Sequence, residues 1–517
     1  MPGNEAFLTP GVKIFEEEVG GQAFQPAGTS AAAFVGTCDK GPIGRATLVT
    51  SWYDYQRKFG HDLSFHMTRA AKNFFYMGGQ RLWVVRTCHY TDITDPLTAT
   101  AVAASVTVTD GGEPATDLVT FEALTPGTWG NDLMVEIANV DEAGGTFDLI
   151  VYEKHGDRYY TMERFEGVTL DESDTEHFVE DVLSHPTRGS IYIKATVLAN
   201  GNPVEGSYHL TGGDNGTTGI TDQDYIGDQG AQTGLYALDN VDEILAICHP
   251  GNTSATVIIG GLNYVLNNFN RRPPQSDIYV YDLPLGLEPQ EALEFVRDQV
   301  TMTTGYEAVY YPWVKVGNRE EPVAPYMLGI YAKNDMTRGV WQAPAGAKFP
   351  LPVTGTAYEV KETDQQVLNP RGINCIRHIP WEGILPWGAR TLDVHGKFRY
   401  LNVRRFVNAI KKTLFEGSQQ FVFELNGPKL WERIEDTARR LLFFYYSLGA
   451  FAGKSPEESF YAKCDEDTNP PELVEQGIVT CEIGIVPPKP AEFVVFNVLI
   501  YPEGALPVGE VTEVLTG

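Results

Sequence analysis

Residues 477–501 read GIVTCEIGIVPPKPAEFVVFNVLIY. Two apolar runs, residues 478–486 and 493–501, are split by Pro487, Pro488 and Pro490. Proline has no backbone donor and interrupts a ladder, so the stretch predicts two strands joined by a stiff extended link. In the second run Phe493, Val495 and Leu499 alternate with Val494, Phe496, Val498 and Ile500. Both faces are apolar, which predicts a strand covered on both sides, in the middle of a sheet. Near the other end, residues 11–19 (GVKIFEEEV) are a second extended candidate carrying Val12, Ile14 and Phe15. Residues 20–33, rich in Gly, Ala, Pro and Ser, tether it. A β-run on a loose tether at each end of a large chain points to strands lent to neighbouring copies.

At 517 residues the chain is too long for one core, and two to four domains are expected. Its hydrophobic content of 43% is that of a soluble globular protein. No run approaches the ~18 apolar residues of a membrane helix. Residues 1–10 lack the charged and apolar regions of a secretory signal, so export by that route is not expected. The six cysteines, at 38, 88, 248, 375, 464 and 481, show no metal-like spacing and read as reduced, mostly buried thiols. A net charge of −29 argues against a nucleic-acid partner and suits a soluble, abundant protein.

Residues 31–37 and 48–50 read as strands, and Thr50 or Ser51 caps a helix over 52–59. A helix over 67–76 stops at Gly78-Gly79, and residues 81–87 form the next strand, completing a βαβ unit. Residues 92–208 change texture to Thr, Asp and Gly with short alternating runs, the pattern of a β-rich insertion. From residue 239 strands and helices alternate again: strands at 243–247, 278–281 and 308–314, helices at 253–269, 289–300 and 326–337. Such alternation predicts a mostly parallel sheet with helices on its faces. Residues 399–414 form an amphipathic helix with Val403, Phe406, Val407, Ile410 and Leu414 inward and Arg404, Arg405, Lys411 and Lys412 on the other face. A second helix, 428–448, buries Leu430, Ile434, Ala438, Leu441 and Tyr445, with Lys429, Arg433 and Arg440 along another line.

Local motifs for chemistry are weak. Residues 449–455 (GAFAGKS) are one residue short of a phosphate loop and follow a helix, so a helix stop and a new capped turn suit them better. Residues 211–219 (TGGDNGTTG) could cradle an anion, although a tight connection is favoured. The acidic stretches 171–176 and 222–228 do not fit a calcium loop. There is no GxSxG, HExxH or local Cys/His signature, so no catalytic, cofactor-binding or metal residue is predicted. An α/β enzyme whose site is assembled from distant residues stays an alternative.

Residues 10–17 (PGVKIFEE), residues 33–60 with AFVG, DKGPIG and LVTSW, and residues 70–86 with AA, FF, GG and LWVVR resemble contractile tail sheath proteins. That family spans phage tails, R-type bacteriocins and phage-tail-like injection systems. Further patches follow in family order: residues 210–216 (LTGGDNG), Gly372-Ile373, residues 387–391 (WGART), 400–406 (YLNVRRF) and 450–465 (AFAGKSPEESFYAKCD), Asn469-Pro470, and 483–496.

The resemblance implies a mixed α/β core formed by the N- and C-terminal parts of the chain, with a β-rich inserted domain and extended terminal strands. Residues 1–30 would be an N-terminal extension with an exchanged strand, 31–91 the first part of the core, and 92–208 the inserted outer domain. Residues 209–370 would be the α/β core domain, 371–490 a C-terminal core domain with a tube-facing helix, and 491–517 the C-terminal exchanged strand and tail. It further implies a structural subunit and not an enzyme, one that polymerises helically around an inner tube and contracts. Implied partners are copies of itself, the inner tube protein, and baseplate and tail-terminator or cap proteins. Nucleic acid, cofactor and membrane insertion are absent from that list. Assembly would take place in the bacterial cytoplasm. The inter-subunit strands would use Val12, Ile14, Phe15, Phe493, Val495, Phe496, Val498 and Leu499. Contact with the inner tube falls to Lys429, Arg433, Arg439 and Arg440, with Arg404 and Arg405 as second choice, although Glu432, Glu435 and Asp436 dilute that charge. A type VI secretion sheath component is a further alternative, but those sheaths resemble a two-chain split of this architecture.

Overall fold

Side chains of the strand Ala31–Gly36 divide the core in two: Ala32 and Phe34 enter one apolar cluster, while Ala31, Ala33 and Val35 enter the other. All six residues are buried, as expected of a central parallel strand. The computed structural model describes residues 24–492. The extended segments read at 11–19 and 493–501, with Val12, Ile14, Phe15, Phe493, Val495, Phe496, Val498 and Leu499, lie outside the described residues.

The fold is mixed α/β. Its main sheet has eight strands in the order Gly383–Pro386, Ile373–Ile379, Glu307–Tyr311, Ile278–Asp282, Leu245–Cys248, Ala31–Gly36, Arg81–Arg86, Thr47–Val49. The inner six are parallel and the two edge strands antiparallel. Helices His66–Tyr76 and Ala324–Arg338 cover one face through Phe74, Met327 and Ile330. Helix Ala255–Asn267 covers the other through Ile258, Leu262 and Val265. Ser51 caps the helix Trp52–Phe59, its hydroxyl accepting from Asp54 N–H at 3.1 Å. Gly79 is required after the 66–76 helix, since a Cβ there would lie 2.3 Å from the Phe74 ring.

Between Arg86 and Leu245 the chain builds two further sheets. Ser105–Thr109, Asp117–Ala123 and Ile193–Val197 form one, and Gly206–His209, Leu133–Asp141, Thr146–His155 and Arg158–Thr169 the other. They share an apolar core that includes Phe121, Val135, Leu149 and Ile193. Arg86, fully buried, ties this unit to the main sheet: its guanidinium donates to Gly41 O (2.8 Å), Pro126 O (2.6 Å) and Asn215 Oδ1 (3.3 Å). Lys40 lies over the Trp129 ring at 4.1 Å. Residues 211–219 are therefore a tight connection: Asn215 also accepts from Thr128 N–H, and a Cβ on Gly213 would strike Gly127 O.

Asp282, at the end of its strand, accepts from Val323 N–H (2.8 Å) and Ala324 N–H (3.0 Å) and so caps the 324–338 helix. Burial pushes its carboxyl up to about 7. The folded chain thus holds this proton more tightly than the unfolded chain, whose carboxyl titrates near ~4. Its contribution to stability is complete below pH ~4 and is lost as pH rises towards 7. Asp282→Asn keeps the acceptor and removes the titration. Urea midpoints should therefore move in the variant's favour, relative to the parent, between pH 4 and pH 8, and parallel pH profiles would contradict this reading.

Candidate assembly surfaces

The 401–418 helix, Leu401–Ser418, is where both described ends of the chain are fastened. On the N-terminal side, Phe24 packs edge-on against Phe421, and a Cβ on Gly417 would lie 1.9 Å from its ring. Ala27 N–H donates to Thr413 Oγ1 at 3.0 Å. Arg405 makes a bidentate pair with Asp335 (2.9 and 2.6 Å) and donates to Thr29 O (3.2 Å), while the Thr29 hydroxyl donates to the same carboxylate. On the C-terminal side, Asn402 Nδ2 bridges Trp341 O (2.8 Å) and Pro488 O (3.1 Å). Arg390 grips Glu492, with Nε donating to Oε1 at 2.8 Å, and that pairing holds the guanidinium pKa up. The loose N-terminal tether and the stiff proline link read from sequence are thus pinned at residues 27–29 and 488–492.

These contacts correct the expected basic face of this helix. Arg404 and Arg405 are buried and present no surface for a tube. Arg404 stacks between Phe398 (3.3 Å) and Tyr306 (3.8 Å) and donates to Gly305 O, and burial lowers its pKa. Lys412 is buried against Arg272 O (2.7 Å), Asp242 and Glu416, and Lys411 donates to Gln275 O (3.0 Å). The helix is enclosed nearly all round, and its cations are satisfied by carbonyls, by distant acids and, for Lys412, also by Glu416 one turn on.

The second helix, Pro428–Ser447, buries Leu430, Ala438, Leu441 and Tyr445 against Phe406 and Phe451, while Ile434 is only half-buried. Lys429, Arg433, Arg439 and Arg440 are exposed. Three of them face acids: Arg433 with Glu424 (3.6 Å), Arg439 with Glu435 (2.6 Å) and Arg440 with Asp436 (2.6 Å). Beside them lies a cleft of about 650 Å³, lined by Glu432, Glu435, Asp436, Asp465, Glu466 and Asp467 with Arg439 as its single cation. Exposed apolar side chains sit before the helix (Phe423, Leu425) and near its end (Phe443, Phe444, Leu448).

Strands Phe460–Lys463 and Glu482–Ile485 form a two-stranded antiparallel sheet that pairs with no other strand among the described residues. The sequence pattern predicts a strand from 478, yet pairing starts at 482. Asn469 explains the difference: its Oδ1 accepts from Thr480 N–H (2.6 Å) and its Nδ2 donates to Thr480 O (3.0 Å), replacing ladder bonds. Unpaired edges of this kind invite an added strand.

In open α/β sheets, ligands commonly sit beyond the strand ends where the strand order reverses. Here the reversal falls between Ala31–Gly36 and Leu245–Cys248, and the short helix Asp222–Ile226 occupies the ground beyond it. Tyr225 packs edge-on against His249 at 6.1 Å, and Asp224 O accepts from Thr87 Oγ1 (2.7 Å). His249 is buried, which lowers its pKa to about 4, and its Nδ1 meets Tyr279 OH at 2.8 Å. Residues 449–455 follow the same logic: Ala450 N–H and Ala452 N–H are bonded to Tyr445 O and Val486 O, not turned towards an anion.

The tail sheath protein of Vibrio phage KVP40 is 24% identical over 335 residues, 60% of this chain and 48% of that protein. The tail sheath protein of Enterobacteria phage T4 is 24% identical over 191 residues, 36% of this chain and 28% of that protein. The chain thus spans about half or less of the length of these relatives. The anti-feeding prophage helical sheath in its contracted state matches over 95% of this chain and 98% of its own, with a TM-score of 0.57 at 19% identity. The fold is that of the contractile tail sheath proteins. The sheath complex of the extracellular contractile injection system PVC, contracted, gives 0.56 at 18% identity over 95% of this chain and 98% of its own. The sheath tail protein of Listeria innocua gives 0.58 at 11% identity over 90% and 96%. No protein-family model matches the chain.

Within this sheath fold, sequence reasoning missed Asn402, Thr413 and Asp335 as fasteners. One signal was available. An exposed basic helix ordinarily carries acids at i,i+4, and neither Arg404 nor Arg405 has one, so these two needed partners from elsewhere. Among the described residues no helix is long and apolar enough to cross a membrane.

Proposed function

We propose that this chain is the structural subunit of a contractile sheath, which polymerises helically around an inner tube and shortens to drive that tube through a target envelope. One observation carries the reading: the fold match runs through 95% of this chain and 98% of a contracted sheath protein. Residues 11–19 of one copy and 493–501 of others would add to the open 460–463/482–485 sheet by β-augmentation. The contacts are heterologous, so a helix grows without closing. Contraction is then a rigid-body repacking about the strand links, driven by surface newly buried between subunits, with no nucleotide hydrolysis in the stroke. Residues 92–208 would decorate the outer wall. The 428–447 helix would face the tube through Lys429, Arg433, Arg439 and Arg440. Its acid partners make that contact one of matched charges. Baseplate and terminator proteins would bound the polymer in a phage tail or phage-tail-like particle assembled in the bacterial cytoplasm. Negative-stain electron microscopy of the purified chain should show tubes or rings, and a protein that stays globular at every concentration and salt would overturn the proposal.

A further inference from the structure

We propose that Cys464 and Cys481 form a disulfide when the protein meets an oxidising medium, closing the 460–463/482–485 hairpin at its loop end. Lys463 stands opposite Glu482, so one step further along the ladder Cys464 stands opposite Cys481. Val486 N–H donates to Ser459 O, which makes Ser459–Val486 a hydrogen-bonded pair. Counting alternately from there, Cys464–Cys481 is a non-hydrogen-bonded pair, and Cys464 N–H indeed turns away to Glu435 at 3.0 Å. Such pairs bring Cα atoms to about 4.5 Å with side chains close together, inside the ~4.4–6.8 Å range of disulfides. The two thiols are close enough for each to influence the other's protonation. Asn469 steadies both sides, with Nδ2 3.7 Å from Cys464 Sγ and the same side chain clamping Thr480.

Cys38, Cys88, Cys248 and Cys375 are buried, whereas Cys481 is half-buried and open to a small reagent. Burial holds both thiols of the pair in the protonated form, Cys481 up to about 12, so oxidation is slow at neutral pH and accelerates with base. With a small disulfide RSSR as oxidant, the Cys481 thiolate attacks one sulfur and expels RS⁻. The Cys464 thiolate then attacks the Cys481 sulfur of the mixed disulfide and expels the second RS⁻. Two protein thiols are oxidised, one RSSR is reduced to two RSH, and the thiol protons end on the leaving thiolates. The functional consequence rests on the sheath reading: the lock would harden the acceptor sheet and fix Asp465–Asp467 beside the 428–447 helix after a particle leaves the reducing cytoplasm.

The full chain, reduced and then incubated with oxidised glutathione, tests this by non-reducing peptide mapping and by thiol titration after denaturation. The expected result is a Cys464–Cys481 cross-linked peptide lighter by two hydrogens, and four free thiols in place of six. The rate should rise about tenfold from pH 7 to pH 8. Cys464→Ser should trap glutathione on Cys481. Six thiols after oxidation, or glutathione held on Cys481 of the unsubstituted chain with Cys464 free, would overturn the proposal. The readout needs no assembly, so its failure leaves the sheath reading intact, and a chain that forms no tubes leaves the disulfide intact.

Discussion

A chain lacking residues 1–20 is expected to fold as the full protein does and to fail as a building block. The first side chain with a packing role among the described residues is Phe24, against Phe421 and Gly417, and the first backbone anchor is Ala27 N–H on Thr413. Both survive the deletion. What is lost is residues 11–19, the strand proposed to pair with a neighbour. Each ladder bond is worth only ~1 kcal/mol net, but every subunit loses the whole set together with the burial of Val12, Ile14 and Phe15. The melting temperature should stay within about 2 °C of the full chain, with a single monomeric species in sedimentation and no tubes in electron micrographs. Extending the deletion through Phe24 should in addition cost about 3 kcal/mol, because the cavity beside Gly417 is left unfilled. Tubes of normal appearance from the shorter deletion would end the strand-exchange model.

The second large effect is internal. Arg405→Ala should destabilise the chain by about 3–5 kcal/mol, since Asp335, with 4% of its side chain exposed, is left charged and unpaired. The Thr29 carbonyl loses its donor as well, and the N-terminal tether loosens. Arg405→Met with Asp335→Leu removes both charges and should recover most of the loss, because apolar replacement of a buried pair is often near neutral. Arg440→Ala is the control: its pair with Asp436 is exposed on both sides and should be worth under ~1 kcal/mol. Equal urea midpoints for Arg405→Ala and Arg440→Ala would show that the buried guanidinium fastens nothing.

The main sheet was legible because its strands carry the period that burial demands. Residues 31–37, 81–87 and 278–281 stand within a residue of the strands observed, and the helices at 52–59 and 67–76 have caps and stops written beside them. The 401–418 helix was legible as a helix and misread as a surface. Its apolar stripe explains one face, whereas Asp335, Asp242 and Gly305, which neutralise or cover the other, lie 70 to 170 residues away. Partners at that separation leave no local pattern. For the same reason the six acids of the cleft beside the 428–447 helix went unseen: three come from the helix and three from the loop after Cys464. The strand-versus-side-chain competition at Thr480 was hidden in one asparagine eleven residues earlier.

Fastening both arms to one helix has a mechanical consequence. Asn402 holds the outgoing arm and Thr413 the incoming one, and at ~1.5 Å per residue these points stand about 16 Å apart along the axis. In a lattice tied together through those arms, opposed tension from two neighbours would act as a couple on a stiff, enclosed rod. The body would turn as a unit instead of stretching, because Arg405 on Asp335 and Arg404 on Gly305 O carry the torque from that rod straight into the body around the eight-stranded sheet.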